Sequence, residues 1–269
     1  MGLLPKISII TPTLNQGQFI ERTIESVLNQ DYPNLEYIVV DGGSRDGTID
    51  ILKKYEKRLV WISEKDQGQA DAINKGIRMS TGDIMAYLNS DDVYENGALK
   101  RVGEYCAAHP SAMWMTGKCR IIDEQDRETR GMITRYKNLL LKHFSYQVLL
   151  VTNPVSQPAT FWRREIVNEM GLFDINEHLV MDYEYWLRIG RKYRLEILDE
   201  YLARFRVYSA SKTSRLFLTT FRREMEIARR YSGSAVLDAL HYLNYLGISS
   251  MYLLMNSLSR TWSKGKTES

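Results

Sequence analysis

ISIITPTLNQGQFIERTIESVLNQDYPNLEYIVVDGGSRDGT, residues 7–48, decides the fold. Ile7 to Thr11 is a short β-branched run, the mark of a buried strand. Phe19, Ile20, Thr23, Ile24, Val27 and Leu28 then recur at helical spacing, so Gln18 to Gln30 is an amphipathic helix. Tyr32-Pro33-Asn34 breaks it, and Tyr37 to Val40 is a second strand. Strand, helix, strand with short joints is the unit of a parallel sheet.

Outward from that unit the alternation continues. Thr48 to Lys57 reads as helix, Leu59 to Ile62 as strand, Ala70 to Met79 as helix and Ile84 to Leu88 as strand. A helix follows from Asn96 to Ala108, with strands at Met113 to Thr116 and Cys119 to Ile122. Asp123 to Arg130 reads as a solvated turn. Residues 134–157 carry no clear period. Ala159 to Trp162 reads as strand, Tyr183 to Lys192 as helix, Leu195 to Leu198 and Leu202 to Val207 as strands, and everything from Thr213 as helix. The expectation is an α/β fold with a mainly parallel sheet flanked by helices. A catalytic domain would span 1–212 and a helical extension 213–269.

Composition narrows the function classes. Of 269 residues, 44% are apolar and 26% charged, an ordinary globular mixture that rules out wholesale disorder. Thirty-six basic against 33 acidic side chains leave a net charge of +3, too balanced for a nucleic-acid-binding surface. Cys106 and Cys119 are the only cysteines, which excludes a disulfide framework and a cysteine zinc cluster and suits a reducing compartment. MGLLPKISII has neither the basic start nor the long apolar run of a signal peptide, so a cytoplasmic location is expected. His109, His143, His178 and His241 show no metal-ligand spacing. Neither a three-glycine dinucleotide fingerprint nor a P-loop is present.

Carboxylates gather where strands end. Asp41 follows the second strand in DGGSRDGT, and Asp91 and Asp92 follow the fourth in YLNSDD. Ligands of open α/β sheets bind in the crevice beyond the strand ends. Acidic turns there suit a ligand hydroxyl or amide and a hard cation such as Mg²⁺ or Mn²⁺, which takes one or two carboxylates and fills its shell with phosphates and water. Asp and Asn are also turn formers and helix caps, and for Asp46 capping is the preferred reading.

These residues resemble family 2 glycosyltransferases, which are inverting enzymes of the GT-A fold. The resemblance runs through residues 7–48, SEKDQGQADAINKG (63–76), TGDIMAYLNSDD (81–92), SQPATFWRR (156–164) and GLFDINEHLVMDYEYWLR (171–188), and stops before 213. It implies that Thr11, Pro12 and Asn15 line a nucleotide pocket. Asp41 would accept a hydrogen bond from the base, which favours a UDP or dTDP sugar. Asp66, Gly68, Asp71 and Asn74 would face the nucleotide-sugar edge. Asn89-Ser90-Asp91 stands in the place of the Asp-x-Asp motif, with Asn89 a departure that contributes no charge. Asp91 would be the metal ligand, and Asp92 a second ligand or a cap. Asp182 matches the catalytic carboxylate, with Glu184 as its rival, and a helix cap is the structural alternative for Asp182. Tyr208 stands where family members often carry a histidine, and Lys212 could hold the diphosphate. Trp186 reads as core, whereas Trp162 is open between core and sugar stacking.

The resemblance implies transfer of a sugar from a nucleoside-diphosphate donor to a saccharide or lipid-linked acceptor of the cell surface. A non-catalytic sugar-nucleotide-binding protein is the alternative. A nucleotidyltransferase ranks behind it, because no glycine-rich basic turn is present to cradle a triphosphate. Ala239 to Ser259 holds no Asp, Glu, Lys or Arg, yet polar residues interrupt it too often for a membrane span. It reads as a helix packed on the catalytic domain, pairing with a second subunit, or lying at the inner membrane face between basic flanks.

Overall fold

The structure is a computed structural model. It describes residues 4–209 and 211–265, together with their side chains except those of 212–214 and 251–265. The expected alternation is present: β1 (Ile7–Thr13), α1 (Ile20–Leu28), β2 (Leu35–Asp41), α2 (Thr48–Lys54), β3 (Val60–Ser63), α3 (Gln69–Met79) and β4 (Ile84–Tyr87). Then come β5 (Val93–Tyr94), α4 (Ala98–Ala108), β6 (Trp114–Ile122), α5 (Gly131–Lys142), α6 (Tyr146–Val151), β7 (Thr160–Arg163), α7 (Arg164–Met170), α8 (Met181–Gly190), β8 (Leu195–Arg206), α9 (Lys212–Ser232) and α10 (Ala235–Gly265).

The strands form one sheet in the order β3-β2-β1-β4-β7-β6-β8-β5. The first four are parallel. Beyond β4 the sheet is mixed: β7 is antiparallel to both β4 and β6, β6 and β8 are parallel, and β5 closes the edge antiparallel to β8. The parallel expectation therefore describes one half of the sheet. Two pairs of expected strands each fuse into one long strand. In β6 the register shifts around Lys118, next to Gly117, where an added Cβ would lie 2.5 Å from the Leu202 side chain. In β8 the exposed Asp199 and Glu200 interrupt the apolar pattern without ending the strand.

Side-chain alternation divides the core between the two faces. Ile7, Ile9, Val39 and Ala86 pack with α1, α2 and α4 through Ile24, Leu52 and Val102. Ile10, Met85 and Tyr87 pack on the opposite face with α3, α6, α7 and α8 through Ile73, Leu149, Ile166 and Trp186. Ile227 and Ala228 of α9 belong to this second cluster.

The C-terminal helices are joined to it as well. In α10, His241 Nδ1 lies 2.8 Å from the Leu150 carbonyl, and Asn244 Nδ2 donates to the Val151 carbonyl at 3.2 Å. Val236, Leu240 and Leu243 leave apolar surface exposed on α10. Among the described residues no helix is long and apolar enough to cross a membrane. The expectations for the side chains of 251–259 and the basic tail beyond them lie outside the described residues.

At the edge of the sheet away from the acidic turns, Glu36 is a junction. Its Oε1 accepts from Lys6 Nζ at 2.7 Å and from Thr81 Oγ1 at 2.7 Å; its Oε2 accepts from Ser8 Oγ at 2.5 Å and from the Thr81 amide at 2.6 Å. Burial alone would raise its pKa, but these hydrogen bonds outweigh burial and hold it at about 2 against an ordinary 4.5. The unfolded chain therefore takes up this proton at higher pH than the native one. The network's stabilisation is whole above pH 4.5 and is lost as pH falls towards 2. Glu36→Gln should flatten the acid limb of the stability curve across that interval, measured by urea unfolding at stepped pH. Parallel acid limbs for the two proteins would contradict the assignment.

Candidate functional site

Three strands of the parallel half end in line. Thr13 of β1 pairs with Asp41 of β2, which pairs with Ser63 of β3. Asp41 is fully buried, and its carboxylate holds the following turn together. Its Oδ2 accepts from the amides of Gly43 (3.0 Å) and Ser44 (2.9 Å) and from Ser63 Oγ (2.6 Å), while Oδ1 accepts from the Ser44 hydroxyl. Asn15 couples the end of β1 to the same turn, its amide donating to Ser44 Oγ at 2.7 Å and its Oδ1 accepting from the Arg45 amide at 2.8 Å. Thr11 and Pro12 are buried beneath, with the Thr11 hydroxyl 3.1 Å from that of Tyr37. Asp46 is a turn former, its Oδ1 accepting from the Thr48 amide at 3.0 Å; the N-cap residue of α2 is Gly47, so the expected cap is not at Asp46.

Asp66 and Gly68 lie across from this turn. Asp66 Oδ1 accepts from the Gly68 amide at 2.9 Å. An added Cβ on Gly42 would meet Asp66 Oδ2 at 2.5 Å, so only glycine allows the carboxylate to rest on that peptide. Gly68 has φ of +115° and lies against the His178 ring, at 3.4 Å from a built Cβ to Nδ1. Asp71, in the first turn of α3, accepts from the Gln67 amide at 3.1 Å. Asn74 is buried, and its amide copies a strand pairing with Phe173: Nδ2 donates to the Phe173 carbonyl at 2.8 Å and Oδ1 accepts from its amide at 3.0 Å. Its amide group is thereby committed to the loop that leads to Asp182.

The turn after β4 carries Asn89, Ser90, Asp91 and Asp92. Asn89 Oδ1 accepts from Gln69 Nε2 at 2.6 Å, and its Nδ2 donates to Gln157 Oε1 at 3.2 Å and to Asp92 Oδ2 at 3.3 Å. Ser90 is buried. Asp92 is fully buried, and its Oδ1 accepts from the Arg206 amide at 2.8 Å. Both of its oxygens are thus spent on holding the turn. Asp91 is the partly exposed member and meets the Tyr208 hydroxyl. Burial raises the pKa of both carboxyls, and the charge of Asp91 raises Asp92 further.

Arg206 anchors this turn. Its side chain is wholly buried; Nε donates to the Asp91 carbonyl at 2.8 Å, Nη1 to the Asp123 carbonyl at 2.7 Å, and Nη2 to the Asp126 carboxylate. The segment 123–130 is therefore more than a solvated turn. Asp126 sits at φ +64° and pairs with both Arg206 and Arg22. A buried arginine's partner cannot be recognised in sequence when the two lie 80 residues apart.

Asp182 lies in the first turn of α8, where its Oδ1 accepts from the Tyr183 amide at 2.9 Å. The helix begins at Met181 with Val180 as its N-cap residue, two residues earlier than a cap at Asp182 would require. Glu184 is committed elsewhere: Oε2 pairs with Arg188 at 2.9 Å, and Oε1 accepts from the Tyr231 hydroxyl at 2.5 Å. Burial pushes the Tyr87 pKa well up, and the charges of Asp182 and Asp92 raise it further. Trp162 and Trp186 are both core, packed with ring centroids 5.7 Å apart. Gln157 is buried and donates to the Tyr87 carbonyl at 2.6 Å. The side chain of Lys212 lies outside the described residues.

Sequence reading missed the anchor that α9 provides. Buried Glu177, in the loop before Asp182, accepts from Arg223 at 2.7 and 3.0 Å and from Arg230 at 3.2 Å. The i, i+7 spacing of the two arginines was the available signal, but nothing in the sequence named their partner.

Acidic turns thus follow the parallel strands β2 and β4 of a GT-A-type fold. The model of glycosyl transferase family 2 matches residues 8–171, and the chain belongs to that family. A putative teichuronic acid biosynthesis glycosyltransferase of Bacillus subtilis is 39% identical over 118 residues, covering 42% of this chain and 46% of that one. Among solved structures, S. aureus TarS 1–349 in complex with UDP-GlcNAc superposes with a TM-score of 0.66 at 18% identity, over 90% of this chain and 71% of that one. The mannosyltransferase PcManGT of Pyrobaculum calidifontis, in complex with GDP-Man and Mn²⁺, gives 0.65 at 18% identity, over 98% and 80%. These likenesses show the fold, and family membership makes the chain a glycosyltransferase.

Replacing Arg206 by Met should remove the ties to Asp91, Asp123 and Asp126 and lower stability by about 2–4 kcal/mol, the scale for buried polar partners left unmatched. Urea unfolding at neutral pH measures it. A loss below about 0.5 kcal/mol, the level of an ordinary surface substitution, would contradict the anchoring role.

Proposed function

We propose that this glycosyltransferase moves a sugar from a nucleoside-diphosphate donor to a hydroxyl of a saccharide or lipid-linked saccharide, inverting the anomeric centre, with Asp182 as the base. The observation that carries the reading is that acidic turns follow β2 and β4, two strands that both pair in parallel with β1, in a chain of this family. A sugar hydroxyl is a weak nucleophile, so a carboxylate within hydrogen-bond reach takes its proton during attack. Attack from the face opposite the leaving diphosphate inverts the centre in one displacement. Glu184 is held by Arg188 and Tyr231 and is unsuited to that task.

The donor set at the acidic turn fits Mg²⁺ or Mn²⁺. Among the described residues no group of three His, Cys, Asp or Glu side chains could hold a metal ion alone. Asp91, with Asp92 behind it, is a pair of desolvated carboxyls that gain from a nearby positive charge. A bound cation would neutralise the donor diphosphate there. The Mn²⁺ in the PcManGT complex supports this reading, and the name of the Bacillus relative supports a cell-surface glycan as acceptor.

Turnover of UDP-, dTDP- and GDP-sugars, with Mn²⁺ titrated into the full-length enzyme, tests the proposal. Asp182→Asn should retain donor binding by calorimetry and lose about a hundredfold or more in kcat, the scale of a missing general base. Asp91→Ala should weaken donor binding and abolish the response to Mn²⁺. Wild-type turnover in the first variant would remove Asp182 from the chemistry. Full activity in excess EDTA would remove the metal. Donor binding with no turnover by the wild type towards water or any saccharide would favour a non-catalytic binding protein.

A further inference from the structure

Asp182 is bracketed in the chain by two carboxylates that both reach α9. Glu177 precedes it, in the loop that enters α8, and Glu184 follows it in the first turn of that helix. The buried Glu177 carboxylate takes a two-pronged grip from Arg223, Oε2 from Nε at 3.0 Å and Oε1 from Nη2 at 2.7 Å. Its Oε1 also accepts from Arg230 Nη1 at 3.2 Å. Glu184 Oε1 accepts from the Tyr231 hydroxyl at 2.5 Å. Between these ties Ile227 and Ala228 are buried in the cluster that holds Tyr183, Trp186 and Leu187 of α8. Arg223, Ile227, Arg230 and Tyr231 stand at i, i+4, i+7 and i+8, so one stripe of α9 faces the start of α8. All of it lies beyond residue 171, where the match to the family model ends.

The loop is held at its other end by the donor half and by α8 itself. Asn74 of α3 bonds both backbone groups of Phe173, and Arg188 donates to the carbonyls of Met170 at 2.6 Å and Leu172 at 2.9 Å. His178 then lies against Gly68 at the start of α3. Glu177 is the side chain that carries this hold onward to α9. Apolar contact alone would keep α9 on α8, since exchanging a buried ion pair for well-packed apolar side chains is often neutral or stabilising. What the ion pair adds is direction. A guanidinium that grips both oxygens of a carboxylate fixes its plane as well as its distance. With Tyr231 on Glu184, the chain is fixed on both sides of Asp182. A general base has to stand within hydrogen-bond reach of the attacking hydroxyl, and misplacement by about 1 Å can cost on the order of a hundredfold in rate.

We propose that Arg223 and Arg230, acting through Glu177, are positioning residues of the transfer reaction: α9 sets where Asp182 stands. The inference rests on the reading of Asp182 as the base. Arg223 carries most of the effect, because it grips both carboxylate oxygens, whereas the half-exposed Arg230 makes one longer bond. The turns after β1, β2 and β4 are built from their own local bonds, so the latch governs rate and leaves donor affinity alone.

The test uses the full-length enzyme with Mn²⁺ and whichever UDP-, dTDP- or GDP-sugar it hydrolyses fastest. Turnover is read as release of the nucleoside diphosphate, and donor affinity by calorimetry. Arg223→Gln and Glu177→Gln should each lower kcat about tenfold or more and leave the donor Kd within about twofold. Arg223→Lys, which keeps the charge but not the fork, should recover part of the loss. Arg222→Gln, which removes an exposed neighbour paired with Glu226 at 3.4 Å, should stay within about twofold of wild type. The deciding measurement adds Arg223→Gln to Asp182→Asn. There it should cost less than about twofold of the residual hydrolysis, because the group through which it acts is already gone. A loss of folded protein would lower both backgrounds by the same factor. If Arg223→Gln fails to fold, Arg230→Gln carries the same expectation at about threefold. An unchanged kcat, equal losses in the two backgrounds, or a donor Kd that weakens in step with kcat would overturn the positioning role. Wild-type turnover by Asp182→Asn, or a wild type that hydrolyses no nucleotide sugar, would instead reject the reading beneath it.

Discussion

The Arg206 guanidinium is the point on which the arrangement turns. It is buried at the end of β8 and satisfied by two backbone carbonyls and one carboxylate. Its own amide holds Asp92, which is also buried. The buried guanidinium would not be tolerable there without these partners, since a lone buried charge costs several kcal/mol. Together they lock the turn after β4 to the far end of the sheet. Asp91 is carried between them and left facing the cleft. The parallel half of the sheet ends at this turn, and the mixed half closes over it.

The two halves divide the work in the proposed reaction. Strands β1 to β4 end in turns whose carboxylates and amides are fixed by short local bonds, which suits a donor that must be held in one pose. The mixed half contributes α8, and α9 is tied to the first turn of that helix and to the loop before it. Glu177 and Glu184 are the bolts, joined to Arg223, Arg230 and Tyr231 of α9. A helix that looks like an appendage in sequence is therefore part of the frame that holds the start of α8.

Much of the donor half was legible because its signals are local. Apolar periodicity marks β1 to β4 and α1 to α4, and the carboxylates after β2 and β4 fall where open sheets bind ligands. The rest depends on distant partners. Asn74 looks like a site residue until Phe173, 99 positions later, takes both ends of its amide. Asp92 is ligand or support according to Arg206, and Glu184 is base or bolt according to Arg188 and Tyr231. Helix α5 hid because Met132, Tyr136 and Leu139 leave apolar side chains exposed and blur its stripe. The base preference is equally hidden: the Asp41 carboxylate is already occupied by its own turn, so its residue type alone does not select a pyrimidine.

The account's central claim is a single displacement assisted by Asp182. Proton NMR of the first product formed from an anomerically pure nucleotide sugar tests it most directly. The account predicts that the new glycosidic bond has the opposite anomeric configuration to the donor from the earliest time point. Retained configuration would contradict it, because a lone base at Asp182 offers no route to a double inversion.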